Sequence, residues 1–197
     1  MNIIRSDQGW LEVIVGPMFS GKTEELIRRI RRAAIAGQTV AVFKPAIDQR
    51  YDVLDIVSHS EVHLPSIPVT SLEDLYRQGQ SAQVIGIDEG QFLGTGLIPV
   101  VEAFIAQRKR VIIAGLDLDY RGEPFEPMPY LMSTAEYVDK ILAICVRCGE
   151  PASRTQRLLA GGDRVVVGAK DLYEARCRSC WTNPDAVIKP SEPPTIL

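Results

Sequence analysis

Eight residues near the start of the chain match the phosphate-loop pattern G-x-x-x-x-G-K-[ST]; they are Gly16, Pro17, Met18, Phe19, Ser20, Gly21, Lys22 and Thr23. An apolar run at 11–15 precedes them, and the stretch 24–33 that follows has apolar residues at helical spacing. A glycine-rich turn at a helix start lets backbone N–H groups converge on phosphate oxygens. Lys22 would add a positive charge and Thr23 an oxygen ligand for Mg²⁺. We therefore predict a site for a nucleoside triphosphate with Mg²⁺, with an ordinary glycine turn before a helix as the alternative.

Two acidic residues, Asp88 and Glu89, follow a second apolar run at 84–87. Ligands of open parallel sheets bind outside the carboxyl ends of the strands, so these carboxylates are predicted to lie near the phosphates. Asp88 is the candidate magnesium ligand. Glu89 is the candidate base, which in a kinase takes a proton from the attacking hydroxyl and in an ATPase polarises water. A helix N-cap is the alternative interpretation of the same pair.

All four cysteines of the chain fall in two C-x-x-C pairs, Cys145 with Cys148 and Cys177 with Cys180. Two such turns can aim four thiolates at one point, which suits a tetrahedral Zn²⁺ site. Because four protein ligands leave no open position for water or substrate, the predicted zinc is structural. Disulfides are the competing interpretation, which a reducing compartment disfavours.

The composition and net charge of the chain argue against some classes of function. The chain has 197 residues, 46% of them hydrophobic, and a net charge of −3. Because it lacks both a long apolar run and a signal-peptide pattern, we expect a soluble, cytoplasmic protein with no membrane partner. The negative net charge argues against nucleic acid as the main partner. The arginines at 28, 29, 31 and 32 are a local exception, and a solvated helix face or a subunit contact is favoured over a nucleic-acid patch.

The order of apolar segments predicts the fold. Runs at 11–15, 39–43, 84–88 and 110–115 are typical of strands buried on both faces, and helical periodicity lies between them at 71–78 and 97–108. We predict an α/β fold, a P-loop (RecA-like) parallel sheet flanked by helices, with a small C-terminal zinc-binding β module carrying a lid loop. The segment 44–67 fits this alternation poorly and is interpreted as a mobile flap or a contact with another subunit.

Three regions are expected along the chain. Residues 1–142 form the nucleotide-binding α/β domain, and residues 143–183 form the zinc-binding and lid module. In that module, strands are predicted at 142–145, 165–167 and 173–177, separated by turns at 149–151 and 160–163. Residues 184–197 are rich in proline and are expected to be a disordered tail.

Taken together, the motifs closely resemble those of the cytosolic-type (type II) thymidine kinases over about residues 8–182. The resemblance rests on the phosphate loop, the segments 88–92, 115–117 and 121–125, and the paired C-x-x-C. It implies transfer of the ATP γ-phosphate to the 5′-hydroxyl of thymidine, and of deoxyuridine, in pyrimidine salvage for DNA synthesis. It also suggests a homotetramer and feedback inhibition by thymidine triphosphate.

The resemblance assigns roles to individual residues. Glu89 matches the family's proton acceptor, and the second nucleotide-contacting segment corresponds to Asp88, Glu89, Gly90 and Gln91. The nucleoside contacts that it implies are Phe92, Tyr120, Phe125, Arg164, Val165, Val166, Val167, Gly168 and Tyr173. Tyr120 departs from the family, which usually has Phe there, and so keeps the ring but adds a hydroxyl. Core packing is the alternative for Tyr120 and Tyr173, and Asp48 and Arg50 match polar residues of a flexible loop near the phosphates.

Two other functions fit the motifs taken singly. A P-loop ATPase with a zinc-ribbon module that binds nucleic acid would show DNA-stimulated ATP turnover and salt-dependent DNA binding. A nucleotide-sensing regulator would bind ATP without turning it over.

Overall fold

The computed structural model describes residues 8–46, 55–57, 63–158 and 172–183. In chain order its elements are β1 (Trp10–Val15), α1 (Lys22–Ile35), β2 (Val40–Pro45), β3 (Asp55–Val57), β4 (His63–Pro65), β5 (Ile67–Val69), α2 (Leu72–Gln78), β6 (Val84–Ile87), α3 (Leu97–Ala106), β7 (Arg110–Gly115), α4 (Met128–Thr134), β8 (Tyr137–Lys140), β9 (Ala143–Ile144), β10 (Pro151–Ala152), β11 (Arg154–Arg157) and β12 (Tyr173–Arg176). Two short 3₁₀ turns, Gly79–Ser81 and Gly90–Leu93, flank β6.

Six strands form one sheet in the order β5-β2-β6-β7-β1-β8, and every neighbouring pair is parallel. All six carboxyl ends therefore lie at the same edge. The phosphate loop follows β1 at that edge, the Asp88–Glu89 pair follows β6, and the 115–125 segment follows β7. The sheet thus brings together three segments that are far apart in sequence.

Helices cover both faces of the sheet. Helix α1 packs against β1, β6 and β7 on one face, whereas α3 and α4 pack on the other. Alternate residues of β1 point to opposite faces of the sheet. Val13 and Val15 pack in the core under α3 and α4, and Ile14 packs in the core under α1. This two-sided burial explains why the strands read as continuous apolar runs.

The predicted α/β fold with a parallel sheet is confirmed, and the differences lie at its edges. The outer strands β5 and β8 were not predicted, because β5 contains Pro68 and β8 carries Asp139 and Lys140 instead of an apolar run. Helix α4 was also missed, since prolines at 127 and 129 surround its start. The helix expected at 97–108 ends at Ala106. In the segment 44–67, strands β3 and β4 pair antiparallel.

The C-terminal part of the described chain has its own small core. Strand β9 pairs with β10 and β11 with β12, both antiparallel. Their buried residues are Ala143, Cys145, Ala152, Ala175 and Cys177, and Phe19 of the phosphate loop packs against them. The strand expected at 165–167 and the tail 184–197 lie outside the described residues. Among the helices that the structure describes, none combines the length and the apolar character needed to span a bilayer.

Candidate active site

The phosphate loop joins β1 to α1, and its backbone depends on glycine at two positions. Gly16 has a φ of +150°, and a Cβ there would lie 2.1 Å from the carbonyl oxygen of Ile141. Gly21 has a φ of +86° and immediately precedes α1, whose first residue is Lys22. Because α1 is 14 residues long, its free N–H groups and its dipole make this end of the helix suitable for an anion.

Lys22 is held inside the loop. The residue is only 8% exposed, and its Nζ donates a 2.8 Å hydrogen bond to the carbonyl oxygen of Pro17. The Ser20 hydroxyl donates to the same carbonyl at 2.9 Å. Phosphate oxygens are stronger acceptors for an ammonium than a neutral carbonyl is. Phosphates that enter the loop would therefore replace Pro17 as the partner of Lys22.

Thr23 and Asp88 meet at the centre of the site. The Thr23 hydroxyl donates to Oδ2 of Asp88 at 3.1 Å. Burial raises the pKa of Asp88 to about 7, and the charge of Glu89 adds to this rise, while the Thr23 hydrogen bond and Lys22 oppose it. The carboxylate is thus poorly compensated by positive charge. The Thr23 and Asp88 oxygens are suitable ligands for Mg²⁺, which prefers oxygen ligands. The ion would also supply positive charge beside the Asp88 carboxylate.

Glu89 occupies an unusual backbone conformation. Its φ is +50°, in the left-handed region, and it immediately precedes the 3₁₀ turn Gly90–Leu93. Its Oε2 accepts a hydrogen bond from Nε2 of Gln91 at 2.5 Å. Oε1 of Gln91 in turn accepts from the backbone N–H of Leu116, at the end of β7, at 3.0 Å. The predicted base is therefore connected through Gln91 to the neighbouring strand.

Aromatic side chains lie on the segments that follow β6 and β7. Phe92 and Phe125 contact each other edge to face, with ring centroids 6.0 Å apart. Tyr120 is 5% exposed, and the guanidinium groups of Arg121 and Arg157 lie 5.2 Å and 4.9 Å from its ring centroid. Nε of Arg121 also donates to the Tyr120 hydroxyl at 3.0 Å.

The segment that carries Tyr120 is fixed from within and from the second module. The Asp119 carboxylate accepts the backbone N–H groups of Arg121 and Glu123 at 2.9 and 3.0 Å. Gly122 has a φ of +80°, and a Cβ there would lie 3.0 Å from the ring of Trp181, the residue after Cys180. The segment therefore rests on the cysteine-bearing part of the chain.

The sulfur atoms of Cys145, Cys148, Cys177 and Cys180 all lie within 4.8 Å of one another. None of these cysteines is in a disulfide. Zn–S bonds of about 2.3 Å place the corners of a tetrahedron about 3.8 Å apart, and the Sγ atoms of Cys148 and Cys177 are separated by 3.7 Å. The spacing of the four free sulfurs fits the predicted four-sulfur zinc site. It does not match the competing interpretation, in which the cysteines would be joined in disulfides.

Comparison with known proteins agrees with the motifs. A family model described as thymidine kinase matches residues 9–181. The chain is 56% identical over 176 residues to a thymidine kinase of Rhodothermus sp. (strain ITI 518), an alignment that covers 89% of this chain and 83% of the relative. It is 52% identical over 172 residues to a thymidine kinase of Bdellovibrio bacteriovorus (strain ATCC 15356 / DSM 50701 / NCIMB 9529 / HD100), covering 87% and 84%.

The chain belongs to the thymidine kinase family. The resemblance inferred from the motifs is therefore confirmed, and the protein is a kinase that uses ATP. The nucleic-acid-binding ATPase is not favoured.

Two residues of this kinase contact the site although the sequence did not single them out. The Thr155 hydroxyl accepts a 3.0 Å hydrogen bond from the backbone N–H of Met18 in the phosphate loop. Arg157 lies against Tyr120 and opposite Tyr173 in the β11–β12 pair. These residues lie between the two C-x-x-C pairs in a polar strand, where no motif marks them.

The structure brings together part of the predicted thymidine kinase site. It connects the phosphate loop to Asp88, Phe92 to Phe125, and, through Arg157, Tyr120 to Tyr173. The other predicted contacts lie outside the described residues; they are Asp48, Arg50, Arg164, Val165, Val166, Val167 and Gly168.

Proposed function

We propose that this kinase transfers the γ-phosphate of ATP to the 5′-hydroxyl of thymidine, and of deoxyuridine, to give the nucleoside 5′-monophosphate for pyrimidine salvage. The observation that carries the proposal is the 3.1 Å contact between Thr23 of the phosphate loop and Asp88, beside the acid Glu89, in a chain of the thymidine kinase family. A phosphate-binding loop and a carboxylate base are the two parts that phosphoryl transfer to a hydroxyl needs.

The donor half of the site is the phosphate loop. We assign the binding of the ATP phosphates to the loop N–H groups and to Lys22, which already points into the loop. Thr23 and Asp88 would hold Mg²⁺, which when bound neutralises charge on the phosphates. The buried, poorly compensated carboxylate of Asp88 supports this assignment. Phosphoryl transfer depends mainly on positioning and on charge stabilisation, and these residues supply both.

The acceptor half of the site begins at Glu89. We propose that its carboxylate takes the proton of the nucleoside 5′-hydroxyl as that oxygen attacks the γ-phosphate. Glu89 lies one residue beyond Asp88 at the end of β6, which places a base beside the proposed metal ligand. We propose that the 5′-hydroxyl comes within reach of this base as it approaches the phosphates.

The nucleoside is assigned to the aromatic segments after β6 and β7 and to the second module. Phe92, Phe125, Tyr120 and Tyr173 supply rings for a flat thymine base. The family resemblance assigns residues 164–168 to a loop that closes over thymine. Backbone N–H and C=O groups on such a loop can read a base that exposes one N–H between two carbonyls.

The proposed donor and acceptor parts of the site also suggest how the chain divides into domains. We propose that residues 1–142 form the nucleotide-binding domain, that residues 143–183 form the zinc and lid module, and that 184–197 form the tail. The separate small core around the cysteines supports a structural zinc that holds the module together. We also propose that the protein is a cytoplasmic homotetramer and that thymidine triphosphate inhibits it by feedback. These two proposals rest on the family resemblance alone.

The test uses purified protein, ATP, Mg²⁺ and each natural nucleoside in turn, with products separated by chromatography. We expect phosphorylation of thymidine and deoxyuridine and little turnover of the purine nucleosides. If both pyrimidine nucleosides are inert while ATP is hydrolysed, the proposal fails and the ATPase alternative returns. Glu89→Gln should bind both substrates and lose about 10²- to 10⁴-fold in kcat.

A further inference from the structure

Gln91 makes two hydrogen bonds that point in opposite directions. The residue lies in the 3₁₀ turn Gly90–Leu93, and only 3% of its surface is exposed. Nε2 donates to Oε2 of Glu89 at 2.5 Å, and Oε1 accepts from the N–H of Leu116 at 3.0 Å. Its amide thus connects the acid after β6 to the end of β7.

The orientation of this amide is fixed by its partners. A backbone N–H is only a donor, so Leu116 must face the amide oxygen. The amide NH₂ group therefore faces the Glu89 carboxylate, which accepts. A glutamine in the opposite orientation would place two donors together at Leu116 and two acceptors together at Glu89.

Packing around Gln91 leaves it little freedom. A Cβ on Gly115 would lie 2.7 Å from its Oε1, so the absence of a side chain there makes room for the amide. A Cβ on Gly90 would lie 2.7 Å from Cγ2 of Ile113. Because Glu89 itself has a φ of +50°, its carboxylate is aimed by a turn that such contacts hold in place.

We propose that Gln91 is a positioning residue, which holds the Glu89 carboxylate in the direction of the acceptor hydroxyl. The family resemblance places Gln91 in a nucleotide-contacting segment, but its burial and its engagement at both ends favour a role directed at Glu89. This inference rests on the proposed function of Glu89 as the base.

Two variants test this role. Gln91→Met keeps the length of the side chain and removes both hydrogen bonds. Gln91→Glu keeps an acceptor for Leu116 and, when ionised, puts a second carboxylate in place of the donor to Glu89. For each, kcat is measured with thymidine and ATP, and the Kd of each substrate is measured by calorimetry. We expect kcat to fall about tenfold to a hundredfold because the base is misplaced, with both Kd values within about twofold of the native values.

A double-mutant cycle separates positioning from a general loss of packing. In the Glu89→Gln background, Gln91→Met should cause no further loss of kcat, because the group through which it acts is already gone. The matched control is Gln156→Met, which removes another buried glutamine, 4% exposed, that accepts from the N–H of Thr182 at 2.9 Å. Its effect should be the same in both backgrounds.

The outcomes are distinct. A rise in the Kd of ATP with kcat retained overturns the proposal in favour of a nucleotide contact. An equal loss from Gln91→Met in both backgrounds overturns it in favour of a packing role, and leaves Glu89 as the base if Glu89→Gln alone shows its expected loss of kcat. Near-normal turnover by Glu89→Gln overturns the base assignment and the positioning role together.

Discussion

The hydroxyl of Thr23 lies 3.1 Å from the carboxylate of Asp88, although 65 residues separate them in sequence. The contact exists because β1 and β6 are parallel and both flank β7, so that the segments after them meet at one edge. The same contact places the end of the phosphate loop beside a buried acid whose pKa burial raises to about 7.

Removing the Thr23 hydroxyl should weaken the use of Mg²⁺. We expect Thr23→Val to raise the Mg²⁺ concentration for half-maximal activity by about tenfold or more, because one of two proposed oxygen ligands is lost. Thr23→Ser keeps the oxygen and is the matched control. The measurement is the initial rate against Mg²⁺ at fixed ATP. An unchanged Mg²⁺ dependence in Thr23→Val would show that this hydroxyl does not serve the metal.

The bond between Thr155 and Met18 should affect ATP binding, since it links the phosphate loop to β11. We expect Thr155→Val to raise the KM for ATP about threefold to tenfold, in keeping with the loss of one partly buried hydrogen bond. Thr155→Ser retains the acceptor oxygen and should stay near the native KM. A native KM in Thr155→Val would mean that this hydrogen bond does not support ATP binding.

The four-cysteine cluster predicts one zinc ion per chain, measurable by elemental analysis of the purified protein. We expect Cys148→Ser to lose most of this zinc and to lower the Tm by about 6–12 °C, which corresponds to about 3 kcal/mol in a chain of this size. Ser179→Ala, an exposed change between the last two cysteines, is the control. Full zinc content and native Tm in Cys148→Ser would argue against the site. Lost turnover with the fold intact would instead give the metal a part in the chemistry.

Tyr120 offers a test of the departure from the usual family residue. Its ring lies beside two guanidinium groups, and its hydroxyl accepts from Arg121 at 3.0 Å. We expect Tyr120→Phe to keep the KM for thymidine within about threefold, because the ring remains, and Tyr120→Leu to raise it about tenfold. A Phe variant as impaired as the Leu variant would show that the hydroxyl, and not the ring, is needed.

Stability at acid pH should depend on Glu25. Hydrogen bonds from Arg28 and Arg29 lower the pKa of Glu25 from 4.5 to about 2, against the effect of burial. Because the unfolded chain then binds more protons at Glu25 than the folded chain between these values, the stabilisation is complete above about pH 4.5 and is lost as the pH falls towards 2.

The variant Glu25→Gln measures this contribution. Urea unfolding at pH 6 should show the variant to be less stable than the native protein, and the gap should stay constant down to about pH 4.5 and then narrow towards pH 3. The neighbouring Glu24→Gln serves as the control for removing an acid from the first turn of this helix. A gap that stays constant with pH would exclude the Arg28 and Arg29 bonds as its source.

The central fold was predictable because burial on both faces leaves a direct pattern in the sequence. The strands β1, β2, β6 and β7 read as short apolar runs. The edge strand β8 does not, since its Asp139 pairs with Arg29 and its Lys140 lies 2.6 Å from Asp117. Ion pairs of this kind depend on the tertiary arrangement, so no periodicity marks them.

The site residues that could be predicted are those that belong to sequence motifs. The phosphate loop, the acidic pair and the cysteines follow known spacings, and the structure places Thr23 beside Asp88 and the four sulfurs together. The bonds from Gln91 to Leu116 and from Met18 to Thr155 span 25 and 137 residues. Only the folded chain shows such contacts, because any polar residue in a suitable strand could provide them.

The contact between Trp181 and Gly122 makes the intrinsic fluorescence of Trp181 a probe of this part of the protein. The chain has only two tryptophans, and the other, Trp10, donates to Glu12 at 2.8 Å near the start of β1. Trp181 instead lies next to Cys180 and against the segment that carries Tyr120. In Trp10→Phe, the remaining indole emission would come from the junction of the cysteine cluster and the nucleoside segment, so that metal loss and nucleoside entry could be followed without an added dye.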